Sequence, residues 1–153
     1  QTILDLYSGI GVTAISLAQR GHAVTAVELS DAAVQAAQRS AHGMEWKEDR
    51  HLPQKRRLEL LHSSVEEFLP TFKGIGDWWI VNPPRTGLSK EVRSHILKKR
   101  PAKILYVSCS PPTLARDLAL FSNAGWHMVS LQGYDMFPQT THFETVAVIE
   151  TEP

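Results

Sequence analysis

The only cysteine of the chain, Cys109, lies where a predicted β-strand ends. The stretch YVSCSPPTLARDL, residues 106–118, has apolar residues before this cysteine, a serine on either side of it and two prolines after it. A lone cysteine is most often a small buried hydrophobic residue. At the carboxyl end of a strand it can also act as a nucleophile, and the N-terminus of a following helix would stabilise its thiolate. The position therefore favours chemistry over packing.

A carboxylate, Glu144, stands at the start of the last predicted strand, two residues after His142. Period-two alternation places both side chains on one face of the strand. Zinc deaminases carry a His-x-Glu pair followed by Pro-Cys-x-x-Cys. In this chain the cysteine precedes the His-x-Glu pair, and a second cysteine is absent from the sequence, so we expect no metal site. Glu144 remains an acidic side chain near the candidate nucleophile.

The stretch NPPRTG follows the predicted strand Trp78–Val81. Two prolines after Asn82 predict a stiff turn that exposes backbone carbonyls and fixes the Asn side chain. Methyltransferases that act on exocyclic amines often carry Asn-Pro-Pro and then an aromatic residue that stacks on the target base. Arg85 stands in that aromatic position. Its guanidinium could bind a phosphate or carboxylate of a substrate, or it could have a structural role.

The first predicted turn, DLYSGIGVTA, contains Gly-x-Gly-x-x-Ala from Gly9 to Ala14, which formally satisfies the dinucleotide fingerprint. Asp5 stands just before the glycines, and its carboxylate would repel a pyrophosphate. The amino group and sulfonium of S-adenosylmethionine are cationic and suit an acid. Glu28, at the end of the second predicted strand, can bind ribose hydroxyls of either cofactor. We predict S-adenosylmethionine rather than NAD; the alternative is that Asp5 only caps backbone amides.

Short apolar runs alternate with helical segments five times, which predicts an α/β fold with a mostly parallel, Rossmann-like sheet. The last two strands have no helix between them and should form an antiparallel hairpin. Ligands bind beyond the carboxyl ends of such strands, so we expect Asp5, Asn82, Cys109 and Glu144 at one edge, and we expect a polar surface loop over 42–57. The predicted strands are Thr2–Leu6, Ala23–Glu28, Leu58–Leu61, Trp78–Val81, Lys103–Ser108, Trp126–Gln132 and Thr145–Glu150, and the predicted helices are Gly11–Arg20, Asp31–Ala41, a short one opened by Ser64, Ser89–Arg100 and Pro112–Asn123.

The length of 153 residues suits one domain, 1–153. Because the first residues already resemble a core strand and methionine does not begin the chain, we expect this domain to be excised from a longer protein. The formal net charge of zero gives no global electrostatic indication of nucleic acid. One cysteine and the lack of a membrane-length apolar run predict a cytoplasmic protein without a membrane partner. Nothing in the sequence indicates an obligate protein partner.

Four stretches together resemble one known family: DLYSGIG, NPPRTGL, YVSCSPPTLARDL and DMFPQTTHFETVAVIE. They are similar to the catalytic domain of the RNA uracil-C5 methyltransferases, which make 5-methyluridine in tRNA or 23S ribosomal RNA. The resemblance runs from the first predicted strand to the last. It implies a class I S-adenosylmethionine-dependent methyltransferase fold and an RNA substrate.

The resemblance also implies roles for individual residues. Cys109 would add to C6 of a uridine, C5 would take the methyl group, and Glu144 would remove the C5 proton before Cys109 is released. The implied cofactor contacts are Tyr7, Glu28 and Asn82, with Asp5 and Gly9 shaping the pocket.

The chain departs from the family pattern at several positions. The family has Asp where Asn82 stands and usually Asn where Ser110 stands, and an acid is common where this chain carries Ser63 and Ser64. The Asn82 and Ser110 departures leave open a non-catalytic S-adenosylmethionine-binding paralogue. Two other functions also stay open: an amino-group methyltransferase built on the Asn82 turn, and an NAD-dependent oxidoreductase.

Overall fold

The computed structural model describes residues 1–44, 58–136, 138–140 and 143–151. The chain divides into two compact units, residues 1–76 and 77–153. The strands are β1 (Thr2–Leu6), β2 (Ala23–Glu28), β3 (Leu58–His62), β4 (Trp78–Val81), β5 (Lys103–Ser108), β6 (Trp126–Tyr134) and β7 (Glu144–Thr151), and the helices of the described ranges are α1 (Val12–Gln19), α2 (Asp31–His42), α3 (Val65–Thr71), α4 (Lys90–Lys99) and α5 (Pro111–Asn123).

The first unit is built on three parallel strands in the order β3-β2-β1. Strand β1 is buried over its last four residues, so the core of the unit reaches the point where the strand ends. Helix α1 begins at Val12 because Gly11, with φ 77°, cannot belong to a right-handed helix. Helix α2 begins after Ser30, whose hydroxyl accepts a hydrogen bond from the Ala33 amide at 3.4 Å.

The second unit places its strands in the order β4-β5-β7-β6. Strands β4 and β5 are parallel, whereas β5–β7 and β7–β6 are antiparallel. The β7–β6 hairpin follows from the absence of a crossover helix between these strands in the described residues. Alternate residues of β5, namely Ile104, Tyr106 and Ser108, are buried, which fixes the face that the strand presents to the core.

The predicted α/β fold, the mostly parallel strands and the C-terminal antiparallel hairpin are confirmed. The differences lie at element ends. Strand β6 continues to Tyr134 rather than Gln132 because its pairing with β7 extends to the Tyr134–Glu144 pair. The predicted surface loop lies, from residue 45 to 57, outside the described residues, as does His142. Within the described ranges, no helix combines the length and hydrophobicity needed to cross a membrane.

Candidate catalytic and cofactor sites

Asp5 lies in the first unit at the end of β1 and is 2% exposed. It accepts a hydrogen bond from the Ala14 amide in the first turn of α1, while its Oδ2 atom has no hydrogen-bond partner among the described residues. Burial raises the pKa of Asp5 from its usual 3.8 to about 7, and the Ala14 hydrogen bond partly opposes that rise. Asp5 therefore caps a backbone amide, as the alternative prediction held, and still has one unpartnered oxygen.

Glu28, at the end of β2, holds the glycine turn that precedes α1. Its Oε2 accepts a hydrogen bond from the Gly9 amide at 2.9 Å, and its Oε1 accepts one from the Ser30 amide at 2.8 Å. Each oxygen keeps a second lone pair, so the carboxylate can also accept hydroxyl donors from a ligand. Tyr7 has φ 61° within the same turn. A non-glycine residue in the left-handed region stores backbone strain of the kind that is common at ligand sites.

These features of the first unit fit S-adenosylmethionine better than a dinucleotide. The unpartnered Oδ2 of Asp5 and the Glu28 carboxylate make the end of this unit acidic. The ionised form of either carboxyl group attracts the cationic amino group of S-adenosylmethionine and repels a pyrophosphate. Gly9 adds space at the turn, because a Cβ built on it would have no neighbour within 4 Å.

Cys109 lies in the second unit between β5 and α5 and is partly exposed. The loop around it is braced by Ser108, whose Oγ accepts a hydrogen bond from the Ser110 amide and donates one to the Ser110 carbonyl, both at 3.1 Å. Helix α5 then begins with Pro111 and Pro112, which carry no N–H group. The start of α5 therefore offers fewer free amides to a thiolate than an ordinary helix start, and the helix dipole is its main remaining source of stabilisation.

Glu144 and Cys109 occupy neighbouring register positions. In the antiparallel β5–β7 ladder Ser108 pairs with Thr145, so Cys109 and Glu144 are the next residues beyond that pair. Asn82 directly follows β4, the parallel neighbour of β5 on its other side. Asn82, Cys109 and Glu144 therefore lie at the same end of three adjacent strands, as the sequence predicts for this unit. Asp5, predicted at the same edge, belongs to the first unit.

Arg85 is exposed in the turn after β4, and its carbonyl accepts a hydrogen bond from the Thr113 hydroxyl at 3.2 Å. The turn is held by a polar cluster that the sequence interpretation does not include. Asp117, on α5, is fully buried and accepts hydrogen bonds from the Leu88 amide and the Tyr106 hydroxyl. The available signal was its spacing: Leu114, Asp117 and Phe121 form the buried stripe of α5, and an acid in such a stripe indicates a paired carboxylate.

The sequence profile of the family described as tRNA (uracil-5-)-methyltransferase matches residues 1–152. The chain belongs to this family. An uncharacterised RNA methyltransferase of Protochlamydia amoebophila is 40% identical over 147 residues, covering 94% of this chain and 32% of that relative. One from Thermotoga maritima is 35% identical over 149 residues, covering 97% and 32%. The chain thus spans about a third of the length of these curated relatives.

Solved structures agree with the family assignment. The tRNA (uracil-54, C5)-methyltransferase of Pyrococcus abyssi, in complex with S-adenosyl-L-homocysteine, superposes with a TM-score of 0.80 at 33% identity over 96% of this chain and 33% of that chain. The magnesium protoporphyrin IX methyltransferase of Synechocystis, with bound SAM, gives a TM-score of 0.69 at 14% identity over 98% of this chain and 69% of that chain. The second likeness supports the class I methyltransferase fold alone.

Proposed function

We propose that this chain is the S-adenosylmethionine-dependent catalytic part of an RNA methyltransferase that methylates C5 of a uridine in tRNA or ribosomal RNA. In this proposal Cys109 is the nucleophile and Glu144 is the general base. The observation that carries it is the β5–β7 register, in which the Ser108–Thr145 pair is followed by Cys109 and Glu144. Family membership supports the choice of uracil C5 as the target.

The residue types match the chemistry that this target demands. C5 of uracil is a weak nucleophile until a soft anion adds to C6. The Cys109 thiolate forms an S–C6 bond, and the electron pair of the C5=C6 bond moves toward O4 to give an enolate with a nucleophilic C5. S-adenosylmethionine, when bound, would supply the electrophilic methyl group to which C5 bonds, and its sulfur would keep the electron pair of the broken S–CH3 bond as S-adenosylhomocysteine. Glu144 then takes the C5 proton, the electron pair re-forms the C5=C6 bond, the S–C6 bond breaks, and Cys109 leaves as thiolate.

Within the first unit, cofactor binding is assigned to Asp5, Tyr7, Gly9 and Glu28. Asp5 would pair with a cationic group, which favours its ionised form over the neutral form that burial favours. Glu28 would accept ribose hydroxyls with its remaining lone pairs. Calorimetry with both cofactors tests this assignment: we expect binding of S-adenosylmethionine, and tight binding of NAD would contradict it.

RNA is the proposed partner, and Arg85 is the residue of the second unit assigned to it. Its side chain is exposed while its backbone carbonyl is held by Thr113, so the guanidinium extends from a fixed turn. A planar guanidinium binds a phosphate through two parallel hydrogen bonds. The zero net charge of the chain makes such local contacts important, because phosphate contacts supply much of RNA affinity.

Product analysis distinguishes this function from an amino-group methyltransferase. The full-length protein would be incubated with unmodified tRNA and ribosomal RNA transcripts and S-adenosylmethionine, and the RNA would be digested to nucleosides for mass spectrometry. We expect 5-methyluridine from the wild type and none from Cys109→Ala. Methylated amino groups on adenosine, guanosine or cytidine, retained in Cys109→Ala, would favour the Asn82-turn enzyme instead. A protein that binds S-adenosylmethionine and methylates neither RNA would be the non-catalytic paralogue.

A further inference from the structure

The buried carboxylate of Asp117 joins three elements of the second unit. Its Oδ2 accepts hydrogen bonds from the Leu88 amide at 3.0 Å and from the Tyr106 hydroxyl at 2.8 Å. Its Oδ1 accepts from Arg93 Nη1 at 3.0 Å and from Arg116 Nε at 2.9 Å. Burial, and then the hydrogen bond to Asp117, raise the pKa of Tyr106, so its hydroxyl stays a donor. Four donors satisfy a carboxylate that is fully buried, which makes this arrangement rigid.

Arg116 extends this hydrogen-bond network to the turn after β4. Its Nη2 donates to the Thr86 carbonyl and to the Leu88 carbonyl, each at 3.2 Å. Gly87, between them, has φ 74°, and a Cβ built on it would lie 2.7 Å from Arg116 Nη2 and 2.9 Å from Asp117 Oδ2. The turn therefore packs its backbone directly onto the Arg116–Asp117 pair.

Thr113 is the third residue of α5 that binds this turn, after Asp117 and Arg116. It lies one helical turn nearer to Cys109 than Arg116 does. Its hydroxyl lies 3.0 Å from the Ser110 carbonyl and 3.2 Å from the Arg85 carbonyl. One hydroxyl proton thus bridges the loop that holds Cys109 and the turn that carries Arg85. Thr113 and Arg116 both belong to α5, the helix that directly follows the cysteine.

We infer that Arg116 is a positioning residue: held by Asp117, it fixes the turn that carries Asn82 and Arg85 against the helix that follows Cys109. This inference rests on the proposed function. Cys109 attacks the uridine, and Arg85 of the turn is proposed to bind a phosphate of the same RNA, so the separation of loop and turn determines whether the uridine reaches the thiolate. A displacement of about 1 Å in such an arrangement costs ~10²-fold in rate.

Arg93 offers a matched control for Arg116. It donates from α4 to the same Oδ1 atom, and Asp117 is the only hydrogen-bond partner of its side chain among the described residues. Arg93→Lys and Arg116→Lys both retain a positive charge beside Asp117 and lose the fork of the guanidinium. Only Arg116→Lys also removes the hydrogen bonds to the Thr86 and Leu88 carbonyls of the turn.

The test measures the rate of covalent adduct formation in the full-length protein, at saturating S-adenosylmethionine and saturating tRNA or ribosomal RNA that contains 5-fluorouridine. Urea unfolding of each variant is measured as well, to establish that the protein is folded under the conditions in which its rate is determined. We expect Arg116→Lys to lower the rate at least ~10-fold and Arg93→Lys to change it less than ~3-fold, with comparable losses in unfolding midpoint. Thr113→Val should slow the adduct as well, and Thr113→Ser, which restores the hydroxyl, should recover the rate.

Two results would overturn the inference. One is an Arg116→Lys protein that forms the adduct at the wild-type rate, and the other is an equal loss of rate in Arg116→Lys and Arg93→Lys. If Arg116→Lys does not fold, the Thr113→Val and Thr113→Ser pair decides: equal rates in the two proteins would contradict the positioning role. Failure of the proposed function gives a different result, because the wild-type protein would then form no adduct at all.

Discussion

At the scale of single residues, Asp5 and Glu144 are two carboxyl groups in different surroundings, and the proposed function gives them different tasks. Asp5 is buried, accepts a hydrogen bond from one backbone amide, and has a second oxygen without a partner among the described residues. Glu144 is partly exposed at the first position of β7, beside the register position of Cys109. Both were candidates from sequence because each follows or begins an apolar run. The burial of Asp5 could not be predicted, since it depends on which residues cover the end of β1 in three dimensions.

The Asp5→Asn variant tests the effect of burial on this carboxyl group. The pKa of Asp5 is about 7 in the folded protein and near 3.8 when unfolded, so between these pH values the folded state binds more protons at this position. Its contribution to the free energy of unfolding therefore falls as the pH rises from about 4 to about 7, by at most ~4 kcal/mol. Asn cannot ionise, so Asp5→Asn should match the wild type near pH 4 and be more stable near pH 8.

Urea unfolding of both proteins without cofactor, across this pH range, measures the difference. A stability difference that stays constant with pH would show that Asp5 does not titrate between the folded and unfolded values. The same variant should bind S-adenosylmethionine more weakly, because it lacks the charge that is proposed to pair with the cation.

The Glu144→Gln variant tests the proposed base. Gln keeps the size of the side chain and cannot accept the C5 proton, so Cys109 should add to uridine and C5 should be methylated without release of the enzyme. We expect a covalent protein–RNA complex to accumulate with ordinary uridine RNA, and turnover to fall by ~10²–10⁴-fold. Denaturing electrophoresis and mass spectrometry detect the complex.

Glu150→Gln, on the same strand, is the control for this substitution. Glu150 pairs with Lys103 at 2.6 Å, at the far end of the β5–β7 ladder from Cys109. Its turnover should stay close to that of the wild type. Normal turnover in Glu144→Gln would rule out Glu144 as the base.

At the scale of elements, the predicted strands and most helices agree with the structure because their signals are local. Apolar runs bounded by Gly and Pro fix the strands, and Ser30, Ser64 and Ser89 each accept an amide hydrogen bond at the start of a helix. The Asp117 cluster is different. Its donors come from residues 88, 93, 106 and 116, and only the packed fold brings those positions together.

Gly11→Ala tests why helix α1 begins where it does. Gly11 has φ 77°, and a Cβ there would lie 3.0 Å from the Cβ of Ala37 on α2. Left-handed strain and this close approach should together lower the free energy of unfolding by ~2 kcal/mol or more. Gly43→Ala is the control, because Gly43 has φ −82° and no neighbour closer than 3.8 Å. That variant should be neutral or slightly stabilising, and equal urea midpoints for the two variants would contradict the account.

At the scale of the whole molecule, the fold class and family were accessible from sequence, because the informative stretches extend from the first strand to the last. The choice of RNA was not. The net charge is zero, and the chain spans about a third of the length of its curated relatives, so which RNA and which uridine are selected is not encoded in any pattern identified in these 153 residues. The reaction proposed for this chain is centred on Cys109.

The most direct test of that reaction is mass spectrometry of the full-length protein after incubation with S-adenosylmethionine and RNA that contains 5-fluorouridine. Fluorine replaces the C5 hydrogen, so Glu144 has no proton to remove and Cys109 cannot leave. The account predicts a covalent RNA adduct on the peptide that contains Cys109, and no adduct in Cys109→Ala. A protein that methylates uridine in ordinary RNA and yet forms no adduct with the fluorinated RNA would contradict it.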